Sequence, residues 1–92
     1  MNENEILTYT VKIFGERLQE DLAIEEFAEL TQALVHKRRG REHNIAEEIA
    51  DCEIMLEQLK IINGCHLEVK AIRKQKIERL VHRLHEICGR MI

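Results

Sequence analysis

Two stretches of this chain carry the same pattern and decide its fold. They are residues 24–34, which read IEEFAELTQAL, and residues 46–56, which read AEEIADCEIML. Each contains the order acid-acid-apolar-Ala-acid, and the second copy follows the first by 22 residues. On a helix, apolar residues three and four apart share one face. The repeat therefore predicts two helices that present the same face to each other, with acids beside the packed stripe.

The predicted stripes consist of matching apolar residues, namely Phe27, Leu30 and Leu34 in the first copy and Ile49, Cys52 and Leu56 in the second. When the whole chain is searched for the same helical spacing of apolar residues, four helices are predicted, at residues 4–18, 21–38, 45–63 and about 66–90. The run from Lys37 to Gly40 is a typical helix end, Asn44 is a capping residue for the third helix, and Asn63-Gly64 ends it.

Composition favours a single helical domain over residues 1–92. Apolar residues make up 45% and charged residues 34% of the chain, and there is no proline. Four helices in 92 residues bury a thin core. The predicted fold is therefore all-α: a short-helix bundle of about four helices that is completed by oligomerisation, most simply as a two-fold dimer.

The same composition argues against several partners and locations. No apolar run is long enough to span a bilayer, and the N-terminus does not have the layout of a signal peptide, so we expect a cytoplasmic protein with no membrane partner. The three cysteines lack CxxC spacing and are expected to be reduced. The only aromatic residues are Tyr9, Phe14 and Phe27, which leaves little surface for stacking on nucleic-acid bases.

Charge is distributed unevenly along the chain. Residues 1–59 carry fourteen acids and six Lys or Arg, whereas residues 60–92 carry three acids and eight Lys or Arg. This asymmetry allows one half to hold cations and the other anions. It is equally compatible with attraction between the two halves inside a bundle or across a dimer.

The acids of the repeat are the candidate chemical site. Glu26 and Glu29 form one i,i+3 pair, and Glu48 and Asp51 form the matching pair in the second copy. Carboxylates that converge repel each other unless a cation compensates them, and oxygen ligands favour Mg²⁺ or Mn²⁺ over zinc. A di-iron bundle would need Glu-x-x-His motifs, which are missing here. The ordinary alternative is a solvated acidic helix face, but two copies in register beside apolar stripes favour the cation site.

These residues carry a family resemblance. Glu-Glu-x-x-Glu at residues 25–29, followed after 18 residues by Glu-x-x-Asp at residues 48–51, resembles the signature of the MazG-like all-α nucleoside triphosphate pyrophosphohydrolases. The run from Ile24 to Leu59 is similar to the small single-domain members of bacteria and phages.

The resemblance implies an activity and roles for particular residues. It implies Mg²⁺-dependent hydrolysis of a ribo- or deoxyribonucleoside triphosphate to the monophosphate and pyrophosphate, with Mn²⁺ as a substitute ion. Carried over by position, Glu26, Glu29, Glu48 and Asp51 would be metal ligands. Glu25 would orient or deprotonate the attacking water, unless it is only a solvated helix residue.

Basic side chains are candidates for binding the substrate phosphates. Lys76, Arg79 and Arg83 share one face of the fourth helix, and Lys37 lies on the carboxylate side of its helix. Hydrolysis of this kind needs cationic groups that hold phosphate oxygens. The first three residues could instead form a solvated or dimer-pairing face, and Lys37 could merely complement its helix dipole.

A second function class remains open at this point. The nearly heptad apolar pattern of the third and fourth helices could serve pairing alone, which would make the chain a non-catalytic helical interaction or nucleotide-binding module. A nucleic-acid binder would rest on residues 70–83 only, and the acidity of the whole chain argues against it.

Overall fold

The computed structural model describes residues 1–89 as four helices joined by short turns. They are α1 (Glu3–Phe14), α2 (Glu16–Arg38), α3 (Ile45–Asn63) and α4 (His66–Cys88). Residues 1–89 contain no strand, so the all-α prediction is confirmed. The bounds predicted for the third helix are the observed ones. Residue 90, the last residue of the predicted fourth helix, lies outside the described residues.

The boundary between the first two helices was predicted wrongly. The expected first helix ran to residue 18, whereas α1 ends at Phe14 and α2 begins at Glu16. Gly15 separates them with φ +92°, a conformation that residues with a Cβ rarely adopt. Its amide still donates to the Val11 carbonyl at 2.9 Å, so the chain turns sharply without losing that hydrogen bond. The later helix ends at Lys37–Gly40 and at Asn63-Gly64 were predicted correctly.

The centre of the fold is the antiparallel hairpin of α2 and α3. Ala23 and Ala33 of α2 and Cys52 and Met55 of α3 are buried where the two helices pack. Small side chains on one helix let the axis of its neighbour approach closely. The fully buried apolar residues of α2 are therefore its alanines, with Phe27 and Leu30 half-buried beside them.

This packing corrects the predicted stripes. Leu34, Ile49 and Leu56 were expected in the helix interface but are 46%, 44% and 49% exposed. The buried face is rotated toward Ala23, Glu26 and Ala33 on α2. Consequently Glu48 is buried and Glu26 half-buried in the helix contact, whereas Glu29 stays exposed at its edge.

A hydrogen bond between two buried amide side chains joins α2 and α3 at the end of the hairpin opposite its connecting turn. Gln19 Nε2 of α2 donates to Gln58 Oε1 of α3 at 2.6 Å, and both side chains are buried. Buried polar groups are costly unless paired, so this bond favours one register of the two helices.

The outer helices are packed incompletely. In α1 only Val11 is buried, and in α4 no residue is. Among the described residues, α1 approaches both α2 and α3, whereas α4 approaches α3 alone. The radius of gyration is 16.9 Å, against about 12 Å for a compact domain of this length. No helix within residues 1–89 has the length and apolar character needed to cross a bilayer.

The amide pair generates a stability prediction. We expect Gln19→Leu to lower the free energy of unfolding by about 1–3 kcal/mol, because Gln58 is left buried without its partner. The double variant Q19L/Q58L should recover part of that loss, because neither amide then remains unpaired. Gln32→Leu, on the exposed surface of the same helix, is the matched control. Urea unfolding measures all four proteins, and equal losses for Gln19→Leu and Gln32→Leu would contradict a structural role for the pair.

Candidate metal centre

Three glutamates from the two helices of the hairpin converge. Glu26 and Glu29 lie one turn apart on α2, and Glu48 lies in the first turn of α3. One carboxylate oxygen from each lies within 4.8 Å of the others. The antiparallel course of the hairpin brings them together, because the first turn of α3 lies beside the middle of α2.

The residue before α3 orients one of these carboxylates. The side chain of Asn44 was expected to cap the helix by accepting from backbone N–H groups, and this was wrong. Its Nδ2 instead donates to Glu48 Oε1 at 3.3 Å and to Glu47 Oε2 at 3.2 Å. Asn44 therefore belongs to the carboxylate site, whereas its place before α3 had predicted only a backbone-capping role.

Burial of two of its three glutamates distinguishes this cluster from a solvated acidic face, while the third, Glu29, is exposed. Glu48 is only 8% exposed, and Glu26 is half-buried. Within residues 1–89, Glu26 Oε2 and Glu48 Oε2 are inaccessible and have no hydrogen-bond partner. A buried carboxylate oxygen without a donor is costly. The pair therefore presents two unsatisfied acceptors toward the same small region.

The electrostatics of the cluster follow from this burial. Burial is the largest cause that raises the pKa of Glu26, followed by the negative charges of Glu29, Asp51 and Glu48. The pKa of Glu48 is likewise raised, first by burial and then by Glu29, Asp51 and Glu47, while the Asn44 hydrogen bond lowers it. Both groups therefore hold protons more tightly than an exposed glutamate, or else require a compensating positive charge.

Cys52 lies against this cluster as a neutral neighbour. Its Sγ donates to the Glu26 carbonyl at 3.4 Å, and the side chain is buried as expected. Burial, and then the charges of Glu26 and Glu48, raise the pKa of its thiol. The thiol thus stays protonated at neutral pH and leaves the oxygen atoms as the available ligands.

The other acids of the repeat lie around the three glutamates. Asp51 is half-buried and close enough for its charge to act on Glu26 and Glu48, but it is not among the three converging residues. Glu25 and Glu47 are exposed. Of the four predicted ligands, the structure brings three together and places the fourth beside them.

The candidate phosphate-binding residues lie farther out. Lys37 is exposed in the last turn of α2, and Lys76, Arg79 and Arg83 are exposed on α4. Among residues 1–89 the only ion pair joins Lys60 and Glu57, so none of these four cations pairs with a carboxylate there. α4 does not approach α2, which carries Glu26 and Glu29.

The donor set fits a hard divalent cation. It offers carboxylate oxygens from three residues, two of which have a buried oxygen with no partner in the described part of the chain. Mg²⁺ and Mn²⁺ prefer oxygen ligands and bind through a few carboxylates plus water and phosphate. Positive charge at this point would offset the repulsion that raises the two pKa values.

Comparisons of the chain with protein-family models, with curated proteins and with solved structures found no match.

The raised pKa values predict how stability depends on pH without metal. In the folded state the pKa values of Glu26 and Glu48 are raised above their ordinary value of 4.5, so both groups bind protons more tightly than in the unfolded chain. Their contribution to stability is complete below about pH 4.5 and is lost as pH rises through the folded-state pKa. We therefore expect Glu48→Gln, which cannot ionise, to melt at a higher temperature than metal-free wild type near pH 7, with a smaller difference near pH 4. Glu53→Gln, at an exposed residue of the same helix whose charge does not act on Glu26 or Glu48, should follow wild type across the range.

The same linkage predicts a pH-dependent response to metal. Mg²⁺ should raise the melting temperature near pH 7, because it binds the ionised carboxylates of the folded state only, and should have little effect near pH 4. Thermal melts with Mg²⁺ or EDTA test this in wild type, Glu48→Gln and the control Glu53→Gln. A Glu48→Gln protein that gains as much from Mg²⁺ as wild type would remove Glu48 from the ligand set.

Proposed function

We propose that this chain is a MazG-like, Mg²⁺-dependent nucleoside triphosphate pyrophosphohydrolase. The observation that carries the proposal is the convergence of Glu26, Glu29 and Glu48 with two buried, unpartnered carboxylate oxygens. The motif in residues 25–51 supports the same assignment, because its acids coincide with this cluster. Asp51 completes the proposed ligand set from the edge of the cluster, and Mn²⁺ is a substitute ion.

The proposed reaction is hydrolysis at the α-phosphorus of a ribo- or deoxyribonucleoside triphosphate. The water oxygen forms a bond to this phosphorus, the bond to the oxygen that bridges to the β-phosphorus breaks, and pyrophosphate leaves. Mg²⁺, when bound, supplies positive charge that stabilises the phosphate oxygens and makes a nearby water more acidic. Asn44 fixes the Glu48 side chain, and Glu25 is the proposed acceptor of the water proton, which then passes to solvent.

Cationic side chains of this chain are proposed to hold the phosphates. Lys37 lies on the same helix as Glu26 and Glu29, three turns and two turns beyond them respectively. Lys76, Arg79 and Arg83 form an exposed basic face on α4 that is free of ion pairs within residues 1–89. Such groups bind phosphate oxygens as charge-assisted donors.

The proposal includes oligomerisation and a cytoplasmic location. We propose a homodimer or homotetramer, because α4 contains no buried residue and α1 only one. Nucleic acid and membranes are not among the proposed partners.

A non-catalytic helical interaction or nucleotide-binding module is the second candidate. The exposed apolar residues of α4 favour it, since a helix face of this kind serves pairing without any chemistry. The two candidates differ in their response to metal. A pairing module needs no metal ion, whereas a hydrolase with these buried carboxylates needs one.

Pyrophosphate release is the direct test of the reaction. With Mg²⁺ and a panel of ribo- and deoxyribonucleoside triphosphates, we expect wild type to form pyrophosphate and Glu48→Gln to lose about 100-fold or more of kcat/KM, because a ligand oxygen is removed. Glu53→Gln, an exposed glutamate of the same helix outside the cluster, is purified in parallel as the control for contaminating hydrolases and should retain activity. Folded, Mg²⁺-responsive wild type that releases no pyrophosphate from any substrate would favour the binding module.

Lys37 generates a separate kinetic prediction. Lys37→Ala should raise KM about tenfold with a smaller change in kcat, because a charge-assisted bond to a phosphate oxygen is lost in both the bound substrate and the transition state. The adjacent Arg38→Ala removes an equal charge from a different side of α2 and is the matched control. Equal KM values for the two variants would remove Lys37 from the substrate site.

A further inference from the structure

The surface area of the chain is too large for a monomer of its mass. The chain exposes 7701 Å² at 10.9 kDa, whereas a compact monomer of that mass exposes about 5,600 Å². The excess of about 2,100 Å² per chain lies within the range that each subunit of an obligate homodimer buries, about 1,000–2,500 Å². The excess exposed area of each chain therefore equals the area that one dimer interface would bury.

The first surface that lacks a partner is the outer face of α1. Ile6, Tyr9 and Ile13 follow one another three and four residues apart and are 49%, 56% and 69% exposed. They line a groove of about 610 Å³ together with Met1 and Phe14. The opposite side of α1 carries Val11 and packs on the hairpin. This helix thus has an inner apolar face that is covered and an outer one that is open.

The second surface is the C-terminal half of α4. Ile77, Leu80, Leu84 and Ile87 repeat three and four residues apart, as in a coiled-coil seam, and are 40–75% exposed. Lys76 and Arg83 directly precede two of these residues and border the stripe. This half of α4 lies beyond Arg73, the last α4 residue of a groove that α1, α3 and α4 line together.

Charge decides which of these faces meet. α4 carries six Lys or Arg and three Glu, a net side-chain charge of +3, so pairing α4 with α4 of a second copy brings like charges together. α1 itself carries Glu3, Glu5 and Lys12, a net side-chain charge of −1, and Glu5 lines its outer groove. The outer face of α1 is therefore a better electrostatic partner for the α4 stripe than a second α4 is.

We propose that two copies of this chain form a two-fold dimer in which the α4 stripe of each copy packs into the outer groove of α1 of the other. The link between α3 and α4 is short, and the stripe lies beyond the part of α4 that packs near α3 and α1, so the stripe is open to a second copy. Two-fold symmetry forms this contact twice, so each dimer contains two equivalent α1–α4 contacts. The inference stands on area and charge, and it is independent of the proposed hydrolysis.

Sedimentation velocity tests the two faces separately. Wild type should sediment as a dimer or as a multiple of it. L80D/L84D on α4 and Y9D/I13D on α1 should each raise the dimer dissociation constant about 100-fold or more, because each places charges in the centre of the contact. All four residues are exposed, so circular dichroism should show retained helix content. Q75D/H82D on α4 and N4D/T8D on α1 add the same number of aspartates at exposed residues outside the stripes and should leave the mass unchanged.

Mixing the two interface variants distinguishes the proposed pairing from self-pairing of α4. A mixed pair of L80D/L84D and Y9D/I13D keeps one intact α1–α4 contact, so an equimolar mixture should regain dimers that neither variant forms alone. Pairing of α4 with α4 would instead leave Y9D/I13D dimeric on its own, because its α4 stripe is intact, and adding L80D/L84D would form no further dimers. A monomeric wild type, an assembly that survives both stripe variants, or a mixture that stays monomeric would each overturn the proposal.

Discussion

The structure depends on one constraint: two helices pack closely through small residues while two glutamates lie inside their contact. Ala23 and Ala33 allow α2 to approach α3 along its buried face, and this approach encloses Glu26 and Glu48 together. Enclosed carboxylates without donors are unfavourable when ionised, and their mutual charge adds to the penalty. The Gln19–Gln58 hydrogen bond and the turn from residue 39 to residue 44 hold the hairpin in the register that keeps these acids opposed.

The hairpin could be predicted from the sequence because its two halves repeat each other. Residues 22 apart in the repeat occupy equivalent places on the two helices, and Glu26 and Glu48 are such a pair. The side of the helix that packs could not be predicted from hydrophobicity alone. Leu34 and Leu56 are more hydrophobic than Ala23 and Ala33. Nevertheless the alanines are buried, because small side chains allow the helices to pack closely, and the two leucines are exposed. The rotation of the buried face moves the carboxylates from the rim of the contact into it.

Three details could not be predicted from the sequence, because in each case the local sequence is equally compatible with another arrangement. Asn44 precedes a helix, where its side chain normally accepts from backbone N–H groups, but a nearby carboxylate competes for the same amide. Gly15 interrupts a segment whose apolar pattern continues on both sides, so only its conformation marks the boundary. Gln19 and Gln58 read as surface residues by type, and burial becomes acceptable only because they meet each other.

The carboxylate cluster and the exposed basic face of α4 arise from different levels of organisation. The three converging glutamates belong to a single hairpin with a short turn, so their geometry requires no second chain. α4 contributes no buried residue to that hairpin, and its orientation is restrained by the short turn after α3 and by α3 alone. Loss of the proposed subunit contacts would therefore free α4 and its cations while the glutamates remain together. In the proposed hydrolase, metal affinity would be a property of the hairpin, whereas phosphate affinity would also involve α4, the helix that the proposed dimer holds in place, so the two affinities would be separable.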